Sequence, residues 1–243
     1  MKKIFLLFPV IGLIATSLVF TSCGDDEEES VNVVNATVSN PDGSAGGHGW
    51  VDLGLPSGTL WATCNVGASK PEESGYYYAW GETQPKNDYR WKTYKYYDAT
   101  NTIVTKYCTD SSKGAVDNKT ELEAGDDAAT ANWGAEWQMP SLEQFSELIN
   151  NTYTISEWTT MNGVQGRKIT SKSNEKSIFL PTTGYHLDAI FYSDGTYGYY
   201  WSRSLAETYS FYGSYLDFRS GNVHTGTIYR YYGQSVRPVR VQN

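Results

Sequence analysis

The sequence predicts an α+β domain with short antiparallel strands, two helices and long loops. Two strand-like runs separated by a turn begin near residue 50, and short strand-like segments fill the chain after residue 154. Helical spacing of apolar residues lies between these regions, over residues 122–149. Strands, then helices, then strands again are typical of this fold class.

The first strands are predicted on either side of the turn Pro56-Ser57-Gly58, in the runs WVDLGL and TLWATCNVG. The aromatic run ESGYYYAWGE, residues 73–82, predicts a third strand. Residues 84–119 are polar and rich in turn residues. We expect this segment to be a long excursion that Trp91 and tyrosine side chains hold to the domain.

The two helices are predicted from spacing and capping residues. Leu122 and a series of alanines predict a first helix over residues 122–134, ending at Gly134. Ser141 is suited to cap a second helix. The apolar face of that helix consists of Leu142, Phe145, Leu148 and Ile149.

Further strands are expected after the helices. The residues MNGV at 161–164 predict a β-hairpin turn, because Asn-Gly favours the tight two-residue connection. The run SIFLP at 177–181 predicts a short buried strand.

The N-terminus has the organisation of a secretory signal peptide. The apolar run 4–20 follows Lys2 and Lys3 and meets small polar residues. A transmembrane anchor is the alternative, but a run of 17 residues is at the lower limit for a span and lacks a basic flank. We therefore expect residues 1–22 to be a signal peptide.

Cys23 resembles the lipid-attachment cysteine of bacterial lipoproteins, at the end of the motif FTSC, with Phe20 in place of the usual Leu. The acidic run GDDEEE behind it resembles the export signal of Bacteroidetes surface lipoproteins. This resemblance implies a lipid-anchored protein of the outer membrane that is exposed at the cell surface. The lipid anchor is then the protein's only membrane contact.

Charge and composition limit the domain organisation and the partners. The chain has 27 acidic and 19 basic side chains. An acidic domain repels phosphate backbones, so we expect no nucleic-acid partner. Residues 23–48 are acidic and then rich in Asn, Ser and Gly, which predicts a tether. Residues 49–243 are expected to form one domain.

Six short motifs resemble the Fibrobacter succinogenes major paralogous domain family. They are WVDLGLPSGTLWATCNVGA, YYYAWGE, ANWGAEWQMPSLEQF, IFLPTTGY, GYYWSRS and GQSVRPVR, in this order. The resemblance implies a C-type-lectin-like fold. The segment DDAATANWGAEWQMPSLEQF also resembles formylglycine-generating-enzyme-type domains. Independently of any family, Trp61, Trp80 and Trp201 are expected in the core, as are Trp133 and Trp137.

Cys64 and Cys108 are the two cysteines of the predicted domain. Outside the cytoplasm an even pair of cysteines predicts a disulfide. Two buried thiols are the alternative, because sequence spacing does not show that two side chains meet.

The sequence lacks the motifs of an enzyme or a metal site. It has no HExxH, CxxC, GxSxG or P-loop, and its histidines are His48, His186 and His224. Asp126 and Asp127 are adjacent, but neighbours on a helix point in different directions. The cysteine pair of formylglycine-generating oxidases has no counterpart after residue 108. We expect no catalysis and no cofactor. Calcium, which lectin-like folds often bind, stays open, although a calcium loop is missing.

The C-terminal region has the composition of a binding surface. Nine of the 20 tyrosines lie within residues 197–232, among Ser, Gly, Thr and Asn. Tyrosine gives large, rigid, amphipathic contacts, and the small polar residues give adaptable hydrogen bonds. Arg203, Arg219 and Arg230 add planar donors of the kind enriched at interfaces.

Residues 208–232 also contain no Lys, Glu, Gln, Met or Trp, although these types make up 43 of the 243 residues. No codon of the form NNC encodes these five types. The pattern resembles the variable region of proteins diversified by retroelements. Positions that resemble its scaffold are Trp201, Leu216, Phe218, residues 220–223, Arg230 and residues 235–238. Positions that resemble its exchangeable sites are Ser214, Tyr215, Asp217, Arg219, His224, Gly226, Thr227, Tyr229, Tyr231 and Tyr232.

These observations predict a surface lipoprotein that binds a protein or glycan ligand through its C-terminal face. The expected contact residues are Tyr209, Tyr212, Ser214, Tyr215, Asp217, Arg219, His224, Thr227, Tyr229, Tyr231 and Tyr232. A structural or assembly component of the cell surface, with tyrosines packing between subunits, is the alternative. An enzyme that lacks recognisable motifs is a third and weaker hypothesis.

Overall fold

A computed structural model describes residues 35–193 and 195–241 of the chain. The expected signal peptide, the lipid-attachment Cys23 and the acidic run lie outside these residues. Within the described part of the chain, no helix is both long enough and apolar enough to cross a membrane.

A four-stranded sheet joins the start of the domain to its end. Its strands are β1 (Gly43–Ala45), β2 (His48–Asp52), β3 (Thr59–Ala62) and β14 (Val239–Val241), in this spatial order. Strands β2 and β3 are the two predicted around the Pro56-Ser57-Gly58 turn, where Gly58 has a φ of 68°.

A second sheet consists of β6 (Thr154–Met161), β7 (Val164–Ser171) and β8 (Ser177–Pro181). Asn162 and Gly163 connect β6 to β7 with φ angles of 48° and 85°. Positive φ at both turn residues matches the twist of the strands, so the predicted hairpin is confirmed. All five residues of β8 are buried, as predicted.

The C-terminal sheet consists of β11 (Gly198–Leu205), β12 (Tyr212–Arg219) and β13 (Asn222–Tyr229), with β12 in the centre. Two small hairpins complete the strands. They are β4 (Tyr97–Asp98) with β5 (Ile103–Val104), and β9 (Tyr185–Leu187) with β10 (Ile190–Tyr192).

Both helices are short and begin at side-chain caps. Helix α1 (Ala128–Trp133) starts at Asp127, whose carboxylate accepts a hydrogen bond from the Thr130 amide, and it ends at Gly134, where φ is 98°. Helix α2 (Leu142–Leu148) starts at Ser141, which forms a capping box with Gln144. The second predicted helix is confirmed. The first is shorter than predicted, because residues 124–126 form a separate 3₁₀ turn.

The predicted fold class is wrong. In the described residues, strands account for 39% and helices for 9%, arranged as five small antiparallel sheets and two helices. The structure is therefore β-rich. It supports neither an α+β class nor the C-type-lectin-like fold that the motif resemblance implies. The low helix content has a local cause. Asp127 and Ser141 cap the starts of two helices that are only 6 and 7 residues long.

Two boundaries also differ from the prediction. Residues 73–82 do not form a strand, and only Tyr78 pairs there, in an isolated bridge to Gln234. Residues 35–48, expected in the tether, pair with the domain: Asn35 bridges to Thr160, and β1 pairs with β2. Residues 35–48 therefore pack with the domain, which was predicted to start at residue 49.

Two hydrophobic clusters form the core. One surrounds Trp80, Trp137 and Trp201, and the other includes Trp61 and Phe145. These four tryptophan side chains are buried, which confirms the prediction for Trp61, Trp80, Trp137 and Trp201. Trp133 is only partly buried, against the first cluster.

The excursion at residues 84–119 is held by a buried carboxylate. Asp126 accepts hydrogen bonds from Lys95 Nζ at 2.9 Å, Lys106 Nζ at 2.5 Å and the Tyr107 hydroxyl at 2.7 Å. Trp91 packs against Tyr94 and nearby rings, as expected. The acidic pair of the sequence is therefore part of the scaffold.

Candidate ligand-binding surface

The C-terminal sheet separates its side chains onto two faces. On β12, Leu216 and Phe218 are buried in the second core cluster, whereas Asp217 is half-buried and Arg219 is exposed. Alternating burial of this kind is typical of a strand with one covered face. Helix α2 lies against the sheet on the Leu216 side, since Phe145 and Leu148 belong to the same cluster.

Aromatic rings form a continuous series across the end of this sheet. Neighbouring ring centroids are 4.7 to 5.6 Å apart in the order Tyr192, Tyr185, Tyr232, Tyr231, Tyr229, Tyr212 and Tyr209. Tyr199 joins the series through Tyr185 at 5.2 Å, and Tyr215 lies 6.0 Å from Tyr199. We call these nine side chains the aromatic surface. Such spacings are those of stabilising aromatic pairs.

Eight of the nine tyrosines of the aromatic surface are half-buried, and Tyr192 is exposed. Burial, with smaller effects from neighbouring phenols and Asp217, raises the pKa of Tyr215 and of Tyr231 to about 12. Burial also raises the pKa of Tyr199. Their hydroxyls are therefore neutral at physiological pH and can both donate and accept hydrogen bonds.

Asp217 lies among these rings on the same face. It is directly opposite Tyr199 of β11 and His224 of β13. Its Oδ1 is 3.0 Å from His224 Nε2. Burial raises the pKa of the Asp217 carboxyl, although His224 and Arg219 act in the opposite direction. The surface thus combines neutral rings with one ionisable pair.

The structure brings most of the predicted contact residues together. Half-buried members are Tyr209, Tyr212, Tyr215, Asp217, Tyr229, Tyr231 and Tyr232, and exposed members are Arg219, His224 and Thr227. Ser214 is an exception and corrects the prediction, because it is 1% exposed. Its carbonyl accepts a hydrogen bond from the Ser202 hydroxyl at 2.8 Å, so Ser214 belongs to the interior of the sheet.

The hairpin β9–β10 is a part of the surface that sequence reasoning missed. Ile190, Phe191 and Tyr192 are 53%, 48% and 40% exposed. His186 and Gly233 exchange backbone hydrogen bonds of 2.8 and 2.9 Å, which places the hairpin beside Tyr232. The alternating apolar run of YHLDAIFY was the signal that could have identified it.

The hairpin and the C-terminal sheet border a cleft of about 570 Å³. Its lining residues are Gly184, Tyr185, Phe191, Tyr192, Ser193, Tyr197 and Tyr199. A concave, largely aromatic site of this size suits a small molecule or a protruding group of a larger ligand.

Buried arginines support the surface from below. Arg230 is 0% exposed although both neighbours are tyrosines of the surface, and its guanidinium donates to the carbonyls of Lys106, Tyr107 and Ser210. It also lies 5.1 Å from the Trp80 ring. Arg230 is therefore not a ligand donor; this corrects one of the three arginine predictions and agrees with its predicted scaffold role.

Arg167 and Arg203 hold other parts of the sheet. Arg167 Nη2 donates to the carbonyls of Arg219, Ser220 and Asn222, at 2.7 to 3.1 Å, and so fixes the β12–β13 turn. Arg203 pairs with Glu121 and Gln138. Of the three arginines predicted as donors, Arg219 is the one that is exposed.

A second cleft, of about 450 Å³, lies on another part of the domain and is lined by Asp127, Glu136, Arg203 and Arg240 among others. Its charged groups are already paired. Arg240 contacts Glu136 at 2.9 Å, and Asp127 caps α1. This cleft has no unpaired charged side chain to orient a ligand.

The two cysteines of the described residues are not joined. Cys64 and Cys108 are free thiols, so the predicted disulfide is absent, and the alternative of two buried thiols holds for Cys108 alone. Cys108 is buried and donates to the Asp110 carbonyl at 3.1 Å, whereas Cys64 is only half-buried. Among the residues that the structure describes, no three His, Cys, Asp or Glu side chains are grouped to hold a metal ion.

Comparisons with family models, with characterised proteins and with solved structures gave no match to this chain.

Proposed function

We propose that this protein is a lipid-anchored surface protein of the outer membrane that binds a protein or glycan ligand through the aromatic surface. Binding occurs without catalysis. The observation that carries the proposal is the unbroken series of neighbouring rings from Tyr192 to Tyr209. Rigid aromatic side chains lose little entropy on binding and exclude water from neighbouring hydrogen bonds.

The composition of the segment supports exchange of its contact residues between related proteins. Thr227, Tyr229 and Tyr231 project from the sheet or its end, whereas Trp201 and Arg230 are buried. We propose that the outward positions are diversified by a retroelement. A reverse-transcriptase gene next to an adenine-rich copy of the final coding segment would support this origin.

The test is a binding screen with the full-length chain in a polyoxyethylene detergent, which carries neither a sugar nor a charge. Glycan arrays and surface-protein arrays are probed with the wild type and with the double variant Tyr229→Ala, Tyr231→Ala. Tyr76→Ala is the matched control, because Tyr76 is 54% exposed but outside the aromatic surface.

We expect the double variant to lose at least tenfold in affinity for its ligand, as truncated aromatic anchors typically do, and the control to keep its affinity. If every ligand found in the screen binds the double variant as tightly as the wild type, the proposal is contradicted.

A structural role in assembly is the second candidate, and the exposed residues of β10 favour it. Three neighbouring apolar side chains that are 40–53% exposed form a surface suited to packing between copies. Sedimentation of the full-length chain over a hundredfold range of concentration tests this role. Self-association that Phe191→Ser abolishes would support assembly, and a monomer at all concentrations would exclude it.

A further inference from the structure

Asp217 has a setting that is unusual for an interfacial carboxylate. Tyr199 faces it from β11, Tyr215 is two residues away on the same face of β12, and His224 faces it from β13. The Tyr199 ring also lines the aromatic cleft. Asp217 itself does not line this cleft, but it lies beside it, directly opposite the lining residue Tyr199.

The negative charge of Asp217 is only partly compensated. Oδ1 is buried and accepts no hydrogen bond of good geometry within the described part of the chain, although His224 Nε2 is close. Arg219 lies on the same face but makes no ion pair with the described residues. A carboxylate in such surroundings gains from a cation that replaces its lost hydration.

We propose that the sheet face beside the cleft binds a compact organic cation, with the Tyr199 and Tyr215 rings in contact with the cation and Asp217 as its counter-ion. The inference rests on the proposed function and names the chemistry of its ligand. Faces of tyrosine rings attract cations, most strongly where water is excluded. The Asp217 side chain keeps 13% of its exposure, and His224 on its open side is 52% exposed, so a ligand can reach it.

Such a cation has two sources. It is either a quaternary or primary ammonium group carried by a glycan or small molecule, or a lysine or arginine side chain of a protein. Both share the same contacts here, and the two arms of the experiment below separate them.

Protonation of Asp217 would remove the counter-ion for the cation. The groups facing Asp217 are Tyr199 of β11, Tyr215 and Arg219 of β12, and His224 of β13. Burial raises the pKa of the Asp217 carboxyl, so cation binding should weaken as the pH falls through that raised pKa.

The test measures binding of model cations to the full-length chain in a polyoxyethylene detergent, by saturation-transfer NMR at constant ionic strength. In one arm choline is compared with 3,3-dimethylbutan-1-ol, its neutral isostere. In the other arm N-acetylarginine amide is compared with N-acetylcitrulline amide. The variants are Asp217→Asn and Tyr199→Leu, and the control is Glu143→Gln, an exposed carboxylate on α2.

We expect at least one cation to bind tenfold more tightly than its neutral counterpart, and the arm that shows this identifies the source. Both variants should remove the tenfold difference, the control should keep it, and thermal melts should show that all variants fold. Equal binding of charged and neutral probes, no binding of either cation, or an unchanged preference in Asp217→Asn would overturn the inference. The array screen with the Tyr229→Ala, Tyr231→Ala variant tests the proposed function separately, because it does not depend on Asp217 or Tyr199.

Discussion

Asp217 and His224 face each other across β12 and β13, with carboxylate Oδ1 3.0 Å from imidazole Nε2. The pair lies within a sheet face that is otherwise occupied by tyrosines. Burial raises the pKa of Asp217, so the folded protein holds this carboxylate ionised at an energetic cost. Costs of this kind are common at functional sites.

Asp217→Asn should therefore stabilise the protein at pH 7. The folded-state pKa lies above the unfolded value near 4, so the folded protein binds more protons between the two values. The cost is present above the folded pKa and is relieved as the pH falls through it. We expect a gain of about 1 kcal/mol in unfolding free energy at pH 7, shrinking towards pH 4. Urea unfolding at both pH values measures it, and a variant less stable than wild type at pH 7 would contradict it.

Asp126→Asn should have the opposite effect. Burial alone would raise the pKa of Asp126, but hydrogen bonds from Lys106, Tyr96, Tyr107 and Lys95 outweigh burial and lower it below its ordinary range. The stabilisation is complete above the unfolded pKa and is lost as the pH falls below it. We expect a loss of about 2 to 3 kcal/mol at pH 7 and a smaller loss at pH 3. Chemical unfolding at the two pH values checks this, with exposed Asp110→Asn as the control. A loss independent of pH would rule out the ionic explanation.

Arg230→Met should destabilise the fold strongly. The change leaves three carbonyls without their shared donor and removes the contact with Trp80. Losses of about 3 kcal/mol are typical when a buried, hydrogen-bonded charge is removed. Arg240→Met is the matched control, since its partner Glu136 is exposed, and should cost less than about 1 kcal/mol. Calorimetry compares the two melting temperatures, and equal effects would argue against the supporting role of Arg230.

Ser214 and Thr227 offer a matched test of exchangeability, because they are directly opposite each other across β12 and β13. Ser214 is 1% exposed, whereas Thr227 is exposed. Ser214→Tyr should cost about 1 to 3 kcal/mol through overpacking. Thr227→Tyr should stay within about 0.5 kcal/mol of wild type. Thermal denaturation of both variants measures the two losses of stability. Equal losses would show that burial does not limit which side chains can be exchanged at these positions.

Reducing agents should leave stability unchanged, because Cys64 and Cys108 are free thiols. Melting curves with and without dithiothreitol should coincide. A disulfide would instead contribute roughly 2 to 4 kcal/mol, which a clear drop in melting temperature under reducing conditions would reveal.

Local signals predicted several of the individual elements correctly. Ser141 with Gln144, and Asn162 with Gly163, specify a cap and a turn through contacts within four residues, and both formed as expected. The predicted fold class was wrong because helical spacing in a sequence does not show how long the helix will be. Capping residues decide where each helix begins and ends. Asp127 caps the start of α1 and so separates it from the 3₁₀ turn at residues 124–126, and Gly134 ends the helix after 6 residues.

Only part of the aromatic surface could be predicted from the sequence, because contacts between residues far apart in the chain complete it. Composition identified the tyrosines of β12, β13 and the following residues, because they are crowded in one segment. Tyr185 and Tyr192 join them through a backbone pairing between His186 and Gly233, which are 47 positions apart. Ser214 was misassigned because composition does not show which face of a strand is covered.

The contacts of Arg230 and Arg167 with main-chain carbonyls have an evolutionary consequence. Carbonyl acceptors exist whatever the side chain, so mutations at outward positions leave these contacts in place. Selection can then act on specificity with little epistasis from folding. A lineage can try many recognition variants before any of them threatens the viability of the protein.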